Sequence, residues 1–173
     1  MTSDTRPRLP ARRAFLATGA ATTLALAGCG FKLREAPEFA FKTIAMPSNT
    51  PYLAQLRRAI NVTGKLQVLP IEEARDADVV FSVLGETREQ VVLSTNSAGQ
   101  VREMQLYLRV RFKLVRPTGQ EVISLAELQQ SRDITYNETA ALAKEGEMNL
   151  LYRDMTNDVV QQTVRRLGAV KAI

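Results

Sequence analysis

The sequence contains no histidine and a single cysteine, Cys29, in 173 residues. Without histidine, Ser-His-Asp and Cys-His hydrolase arrangements are excluded. One cysteine excludes an intramolecular disulfide, and zinc and haem sites lack their usual ligands. Pairs of carboxylates still support glycoside chemistry, but no pair here has a distinctive setting. We therefore predict no enzyme, metal or cofactor, and a carboxylate-dependent enzyme remains the alternative.

The positive charge is concentrated at the N-terminus. The whole chain has 23 basic and 18 acidic side chains. Four arginines and one aspartate lie in residues 1–28, so residues 29–173 keep 19 basic and 17 acidic side chains. A net charge of about +2 argues weakly for nucleic acid. No nucleic-acid partner is predicted.

Residues 1–28 have the pattern of a signal peptide. A basic, proline-bearing stretch leads into an apolar run over residues 14–27, which is shorter than the roughly 20 residues that span a bilayer. The run ends in Leu26-Ala27-Gly28-Cys29, which matches a lipobox. We predict cleavage between Gly28 and Cys29 and lipidation of Cys29. The alternative, an ordinary buried cysteine, fits this position poorly.

Residues in and next to the signal peptide indicate the export route and the membrane that holds the anchor. Gly30 rather than aspartate follows the cysteine, which favours the outer membrane, with the domain facing the periplasm. Lipidation by three chains would make the anchor effectively permanent. Arg12-Arg13 also resembles a twin-arginine signal, but with no cofactor ligands to justify folding before export, the general secretory route is favoured.

The mature chain divides into a tether over residues 29–38 and one domain over residues 39–173. Alternating or β-branched segments predict strands at 39–46, 79–95, 101–116 and 121–136, and residues 66–69 could form a short strand before Pro70. Helices are predicted from Pro51, with Thr50 as N-cap, to before Gly64, and over residues 137–167. The last three long strands are joined by short turns, which predicts an antiparallel meander. The expected fold is a two-layer α/β sandwich, with two helices on one face of a mixed sheet of about four strands.

The clearest strand, residues 101–116, has basic side chains in one phase. Arg109, Arg111 and Lys113 alternate with apolar residues, and Arg102 lies near one end. Alternation places these cations on one surface about 7 Å apart, which suits several phosphates. The alternative is a solvated face whose cations pair with carboxylates across the sheet.

Three segments resemble the LptE family of lipopolysaccharide-assembly lipoproteins. They are Gly30-Phe31-Lys32-Leu33-Arg34 after the lipobox, Asn96-Ser97-Ala98-Gly99-Gln100, and Ala141-Leu142-Ala143-Lys144-Glu145. The resemblance implies a two-layer α/β fold that plugs and helps assemble the outer-membrane β-barrel LptD, and that takes part in delivering lipopolysaccharide to the cell surface. An accessory lipoprotein of another barrel-assembly or efflux complex is the alternative.

The resemblance also implies a ligand residue. Lys144 stands where the family has a lysine assigned to lipopolysaccharide binding. The family's companion arginine is absent before Asn96, and Arg102 is the expected substitute. The helix macrodipole favours anions at a helix start and gives no reason for a lysine there. A ligand role for Lys144 would supply such a reason. The alternative for Lys144 is a salt bridge with Glu147 or Glu145.

Overall fold

In a computed structural model, which describes residues 37–173, two helices pack on a five-stranded sheet. The strands are β1 (Thr43–Met46), β2 (Gln67–Pro70), β3 (Val79–Thr95), β4 (Val101–Val115) and β5 (Glu121–Thr135). The helices are α1 (Pro51–Thr63) and α2 (Ala141–Gly168). The predicted α/β sandwich is confirmed. The predicted signal peptide, the lipidation of Cys29 and most of the tether lie outside the described residues.

The sheet has five strands rather than about four. Its order is β2-β1-β3-β4-β5. The short segment before Pro70 pairs in parallel with the whole of β1, from Thr43↔Gln67 to Met46↔Pro70. β1 also pairs in parallel with β3, while β3, β4 and β5 form the antiparallel meander. The first strand begins at Thr43 and not at residue 39.

Strand β4 forms the centre of the core because its side chains alternate strictly between two faces. Its helix-facing side chains at Leu106, Leu108, Val110, Phe112 and Leu114 are all fully buried. Phe112 also stacks on the ring of Phe81 in β3, with centroids 4.9 Å apart. Deleting either ring would leave a large cavity, at a cost of about 3–5 kcal/mol.

Helix α1 begins and ends where local chemistry predicts. The Thr50 side chain accepts a hydrogen bond from the backbone N–H of Leu53 at 3.2 Å, and Pro51 takes the first helical position. The helix ends at Gly64, whose φ of 64° is left-handed and suits glycine. Thr50 and Gly64 thus set both boundaries of this helix.

Helix α2 is the longest element, at 28 residues. It follows a short 3-10 turn at Glu138–Ala140, in which the Asn137 side chain accepts from the N–H of Thr139 at 3.0 Å. The predicted helix start at residue 137 is therefore four residues early. The buried face of α2 includes Tyr152, Met155, Thr156, Val159, Val160, Thr163, Val164 and Leu167. Within residues 37–173, no helix is long and apolar enough to cross a membrane.

Candidate functional site

Lys144 and Arg102 line one cleft, of about 290 Å³. Lys144 lies in the first turn of α2, and Arg102 lies at the start of β4. The two are brought together because the backbone N–H of Tyr136 donates to the carbonyl of Arg102 at 2.8 Å. This bond aligns the end of β5, which leads into α2, with the start of β4. Glu103 and Asn137 complete the rim of the cleft.

The ammonium group of Lys144 already has partners. Its Nζ lies 2.8 Å from a carboxylate oxygen of Glu147 and 3.2 Å from the hydroxyl of Thr135. The Lys144 side chain is 19% exposed, so Lys144 is held at the cleft wall rather than extended into solvent. The salt bridge with Glu147 is the one anticipated as an alternative to ligand binding. An exposed helix pair at this spacing contributes only about 0.2–0.5 kcal/mol, which leaves Lys144 available to a stronger anion.

A second cleft, of about 250 Å³, adjoins the first and shares Arg102 and Asn137 with it. One wall is the β3–β4 turn, where Asn96 Nδ2 donates to Gln100 Oε1 at 2.9 Å. Gln100 Nε2 in turn reaches a carboxylate oxygen of Glu138 at 3.4 Å. The fold thus brings together two of the segments that resemble the family, around Asn96 and Lys144. Spacing in the sequence gave no signal for this proximity.

The basic side chains of mid-β4 lie on a different surface. Arg109 is the most engaged, because its guanidinium group lies 3.4 Å from Glu89 and 3.3 Å from Glu127, and both its Nε and Nη2 donate to Gln129 Oε1 at 3.1 Å. Arg109 therefore fits the alternative to phosphate binding, in which the cations of this solvated face pair with carboxylates on neighbouring strands. Arg111 and Lys113 share its phase, on the face turned away from the helices.

Arg111 packs over a glycine at an irregularity in β3. The register of β3 on β4 shifts between Val83 and Gly85, and a Cβ on Gly85 would lie 3.2 Å from Arg111 Nη2. The missing side chain gives the guanidinium room to lie against the strand. None of Arg109, Arg111 and Lys113 lines the clefts around Lys144. The five candidate cations thus form two separate groups.

Two side chains with perturbed pKa values, Tyr52 and Asp78, make structural contacts. Burial raises the pKa of Tyr52, whose hydroxyl lies 2.8 Å from Thr163 Oγ1 between the two helices. Backbone N–H groups of Lys42 and Thr43 donate to the Asp78 carboxylate and lower its pKa. Neither group lines the Lys144 clefts. Among residues 37–173, no three side chains of histidine, cysteine, aspartate or glutamate come together as a metal site.

A two-layer α/β sandwich with shallow clefts of mixed charge has the form of a small binding or assembly domain. The chain belongs to the LptE family, because the family model described as "LptE: Lipopolysaccharide-assembly" matches residues 41–167. The matched region begins two residues before β1 and ends at the last buried residue of α2, so it contains both clefts.

The chain is also similar to proteins that carry the LptE name. The chain is 31% identical over 153 residues to the LPS-assembly lipoprotein LptE of Yersinia pestis (strain Pestoides F), covering 86% of this chain and 72% of that protein. The LptE protein of Yersinia pseudotuberculosis serotype O:1b gives the same values. Both names denote a lipoprotein of lipopolysaccharide assembly.

Solved structures share the fold. The solution structure of uncharacterized lipoprotein B from Nitrosomonas europaea is 31% identical, with a TM-score of 0.68, and covers 81% of this chain and 91% of that one. Rare lipoprotein B from Shewanella oneidensis aligns with a TM-score of 0.61 at 22% identity, covering 74% and 95%. The chain therefore shares its fold with these two lipoproteins.

Proposed function

We propose that this LptE-family chain acts in lipopolysaccharide assembly as an outer-membrane lipoprotein that plugs the LptD β-barrel and helps it assemble. The observation that carries the proposal is the family match over residues 41–167, which spans almost the whole described domain. An assembly role requires a rigid, well-packed body and no catalytic side chain. The continuous core, running from Phe41 in front of β1 to Leu167 in α2, supplies such a body.

Two surfaces of the domain suit a protein that is enclosed by a barrel. On β3, Val91, Val92 and Leu93 are consecutive aliphatic residues with exposed fractions of 44%, 50% and 49%. Exposed aliphatic runs on a strand favour protein contacts. The outer face of the sheet instead carries internally paired charges around Arg109. Such a face is compatible with the polar interior of a barrel.

Purification of the lipidated protein from outer membranes tests this proposal. LptD is expected to co-purify with it, and Val92→Lys is expected to reduce the recovery because a charge would enter the aliphatic contact. Arg116→Glu, a charge exchange in the turn between β4 and β5, is the control and should leave recovery unchanged. Recovery of a different barrel or of an efflux complex would favour the alternative of another accessory lipoprotein.

We further propose that the Lys144–Arg102 cleft binds an anionic phosphate of lipopolysaccharide. The salt bridge to Glu147 holds the ammonium group at the cleft wall, and Arg102 contributes a second cation to the same cleft. Charge-assisted hydrogen bonds to phosphate are about twice as strong as neutral ones. A bound phosphate would thus compete with Glu147 for Lys144.

Three variants separate the ligand role of Lys144 from its salt bridge. Lys144→Glu should weaken lipopolysaccharide binding about tenfold or more, and the effect should shrink at high salt. Glu147→Gln breaks the same ion pair but frees the ammonium group, so binding should be kept or strengthened. Arg111→Glu makes the same charge change on the outer face and should have little effect. Equal losses for Lys144→Glu and Glu147→Gln would show that the ion pair only stabilises the fold.

A further inference from the structure

An open groove of about 480 Å³ lies at the end of the domain opposite the Lys144 cleft. Its walls are the start of β5, at Ile123 and Leu125, and the end of α2 with the residues that follow, at Arg166, Val170 and Lys171. The groove and the cleft are at opposite ends of α2. The lipopolysaccharide proposal does not use this groove.

The apolar side of the groove results from an irregular strand. On the β4 side of β5, Ala126 pairs with Phe112 and Ile123 pairs with Leu114, so Ser124 and Leu125 fall outside the register. A bulge of this kind re-aims side chains at a sheet edge. Leu125 is consequently 56% exposed at the rim of the groove.

The other side of the groove is basic and uncompensated. Arg166 and Lys171 line the groove, and together with Arg165, the neighbour of Arg166 in the chain, they lie in a segment, residues 159–173, that contains no aspartate or glutamate. In the described part of the chain none of the three joins an ion pair, whereas Arg109 and Lys144 do. The macrodipole favours cations in the last turn of a helix, which accounts for the two arginines. Lys171 lies beyond the helix end, so the macrodipole gives no reason for it.

The groove also lies where the chain enters the domain. Gly168 immediately precedes Ala169, which lines the groove. A Cβ on Gly168 would lie 2.5 Å from Pro37 Cβ, so Pro37 packs directly against the end of α2. Only eight peptide steps separate Cys29 from Pro37, and they span at most about 28 Å when fully extended. A lipid on Cys29 would therefore hold the groove close to the bilayer.

We propose that this groove is a membrane-contacting surface, which lays Leu125 and the cations of Arg166 and Lys171 on the anionic phospholipid leaflet that holds the Cys29 lipid. The proposal rests on the lipidation included in the proposed function. Apolar burial and attraction to anionic lipids act together in such contacts. One cation near an anionic surface raises the binding constant about fivefold, so neutralising two should lower it about 25-fold, and reversing both charges should lower it at least as much.

Vesicle co-sedimentation of residues 37–173 tests the groove without the anchor. These residues contain the core cluster that runs from Phe41 to Leu167, and circular dichroism checks each variant for folding. Vesicles of phosphatidylethanolamine with phosphatidylglycerol are compared with neutral phosphatidylcholine vesicles. The domain should prefer the anionic vesicles, and Arg166→Glu with Lys171→Glu should abolish most of that preference.

The outer face of the sheet offers a matched control. Arg111→Glu with Lys113→Glu makes the same change in net charge, and we expect less than about a threefold loss. Equal losses in both pairs would mean that only net charge matters, and the proposal would be overturned. An unaltered domain that shows no preference for phosphatidylglycerol would overturn it as well.

A second readout uses the lipidated protein in vesicles. Fluorophores attached at Ala172→Cys and at Leu142→Cys compare the groove with the opposite end of α2. A headgroup-bound quencher should quench the first label strongly and the second weakly, and equal quenching contradicts the proposal. Mass spectrometry of the acyl chains tests separately whether Cys29 is lipidated, and recovery of LptD tests the barrel partner. Failure of either part of the proposed function is therefore distinguishable from a groove that does not touch lipid.

Discussion

The contact between Tyr52 of α1 and Thr163 of α2 yields an asymmetric prediction. Both residues are buried, with exposed fractions of 0%, and their hydroxyl oxygens are 2.8 Å apart. The Thr163 hydroxyl donates its only proton to the carbonyl of Val159 at 2.9 Å. Tyr52 must therefore be the donor in the contact between the helices. Burial raises the pKa of Tyr52, so this donor keeps its proton at every pH at which the domain is handled.

The two single exchanges should differ in cost. Tyr52→Phe removes the donor and leaves Thr163 bonded to Val159, which should cost about 1 kcal/mol. Thr163→Val removes the acceptor and leaves the buried phenol without a partner, which should cost about 2–3 kcal/mol. In the double variant neither polar group remains. The pair Tyr52→Phe and Thr163→Val should thus be more stable than Thr163→Val.

Urea unfolding of the domain, followed by circular dichroism, measures these free energies. The denaturant slope should be the same for all four proteins, since the exposed surface on unfolding hardly changes. The cycle should give a coupling energy of about 1 kcal/mol or more, as for residues in direct contact. Additive costs, or a Tyr52→Phe variant less stable than Thr163→Val, would refute the assignment of Tyr52 as donor.

Two further regions give predictions that the same assay checks. Gly168→Ala should destabilise the domain by about 1–3 kcal/mol, because its Cβ would clash with Pro37 at 2.5 Å. Gly146→Ala in the same helix meets nothing within 4 Å and should stabilise by about 0.5–1 kcal/mol; a loss in both variants would contradict the clash. Asp78→Asn should cost about 1 kcal/mol at pH 7, since the carboxylate accepts from the Thr43 N–H at 3.0 Å. The lowered pKa of Asp78 contributes stability above its unfolded pKa of about 4, and that contribution is lost as the pH falls through the folded value. The Asp78→Asn deficit should therefore shrink in acid, and a constant deficit down to pH 3 would count against it.

Elements whose chemistry is local were predictable from the sequence. Thr50, Pro51 and Gly64 set the boundaries of α1 without help from distant residues. The strict alternation around Phe112 likewise predicted which face of β4 is buried. In both cases the information lies within a few neighbouring residues, where capping and pleating operate.

Features that need distant partners were not predictable in the same way. The segment before Pro70 is a strand because β1 supplies its hydrogen bonds, and its own residues indicate this only weakly. The neutralisation of Arg109 depends on Glu89 and Glu127, on two other strands. Strand register and bulges decide such contacts, because a register shift of one residue would turn the side chains to the other face of the sheet. The candidate cations stay predictions as ligand residues, and their division into two surfaces could be seen only in the fold.

The distance between the Lys144 cleft and the groove makes the two proposed contacts independent. Lys144 and Gly168 are 24 residues apart on one helix, which at 1.5 Å per residue separates the cleft from the groove by about 36 Å. Substitutions this far apart with no shared partner are expected to act additively. Charge reversal at Arg166 and Lys171 should then weaken vesicle binding without changing lipopolysaccharide affinity. Lys144→Glu should weaken lipopolysaccharide binding without changing vesicle binding. A variant at one end that altered both measurements would indicate that α2 transmits a change between them, since the cleft and the groove share no side chain.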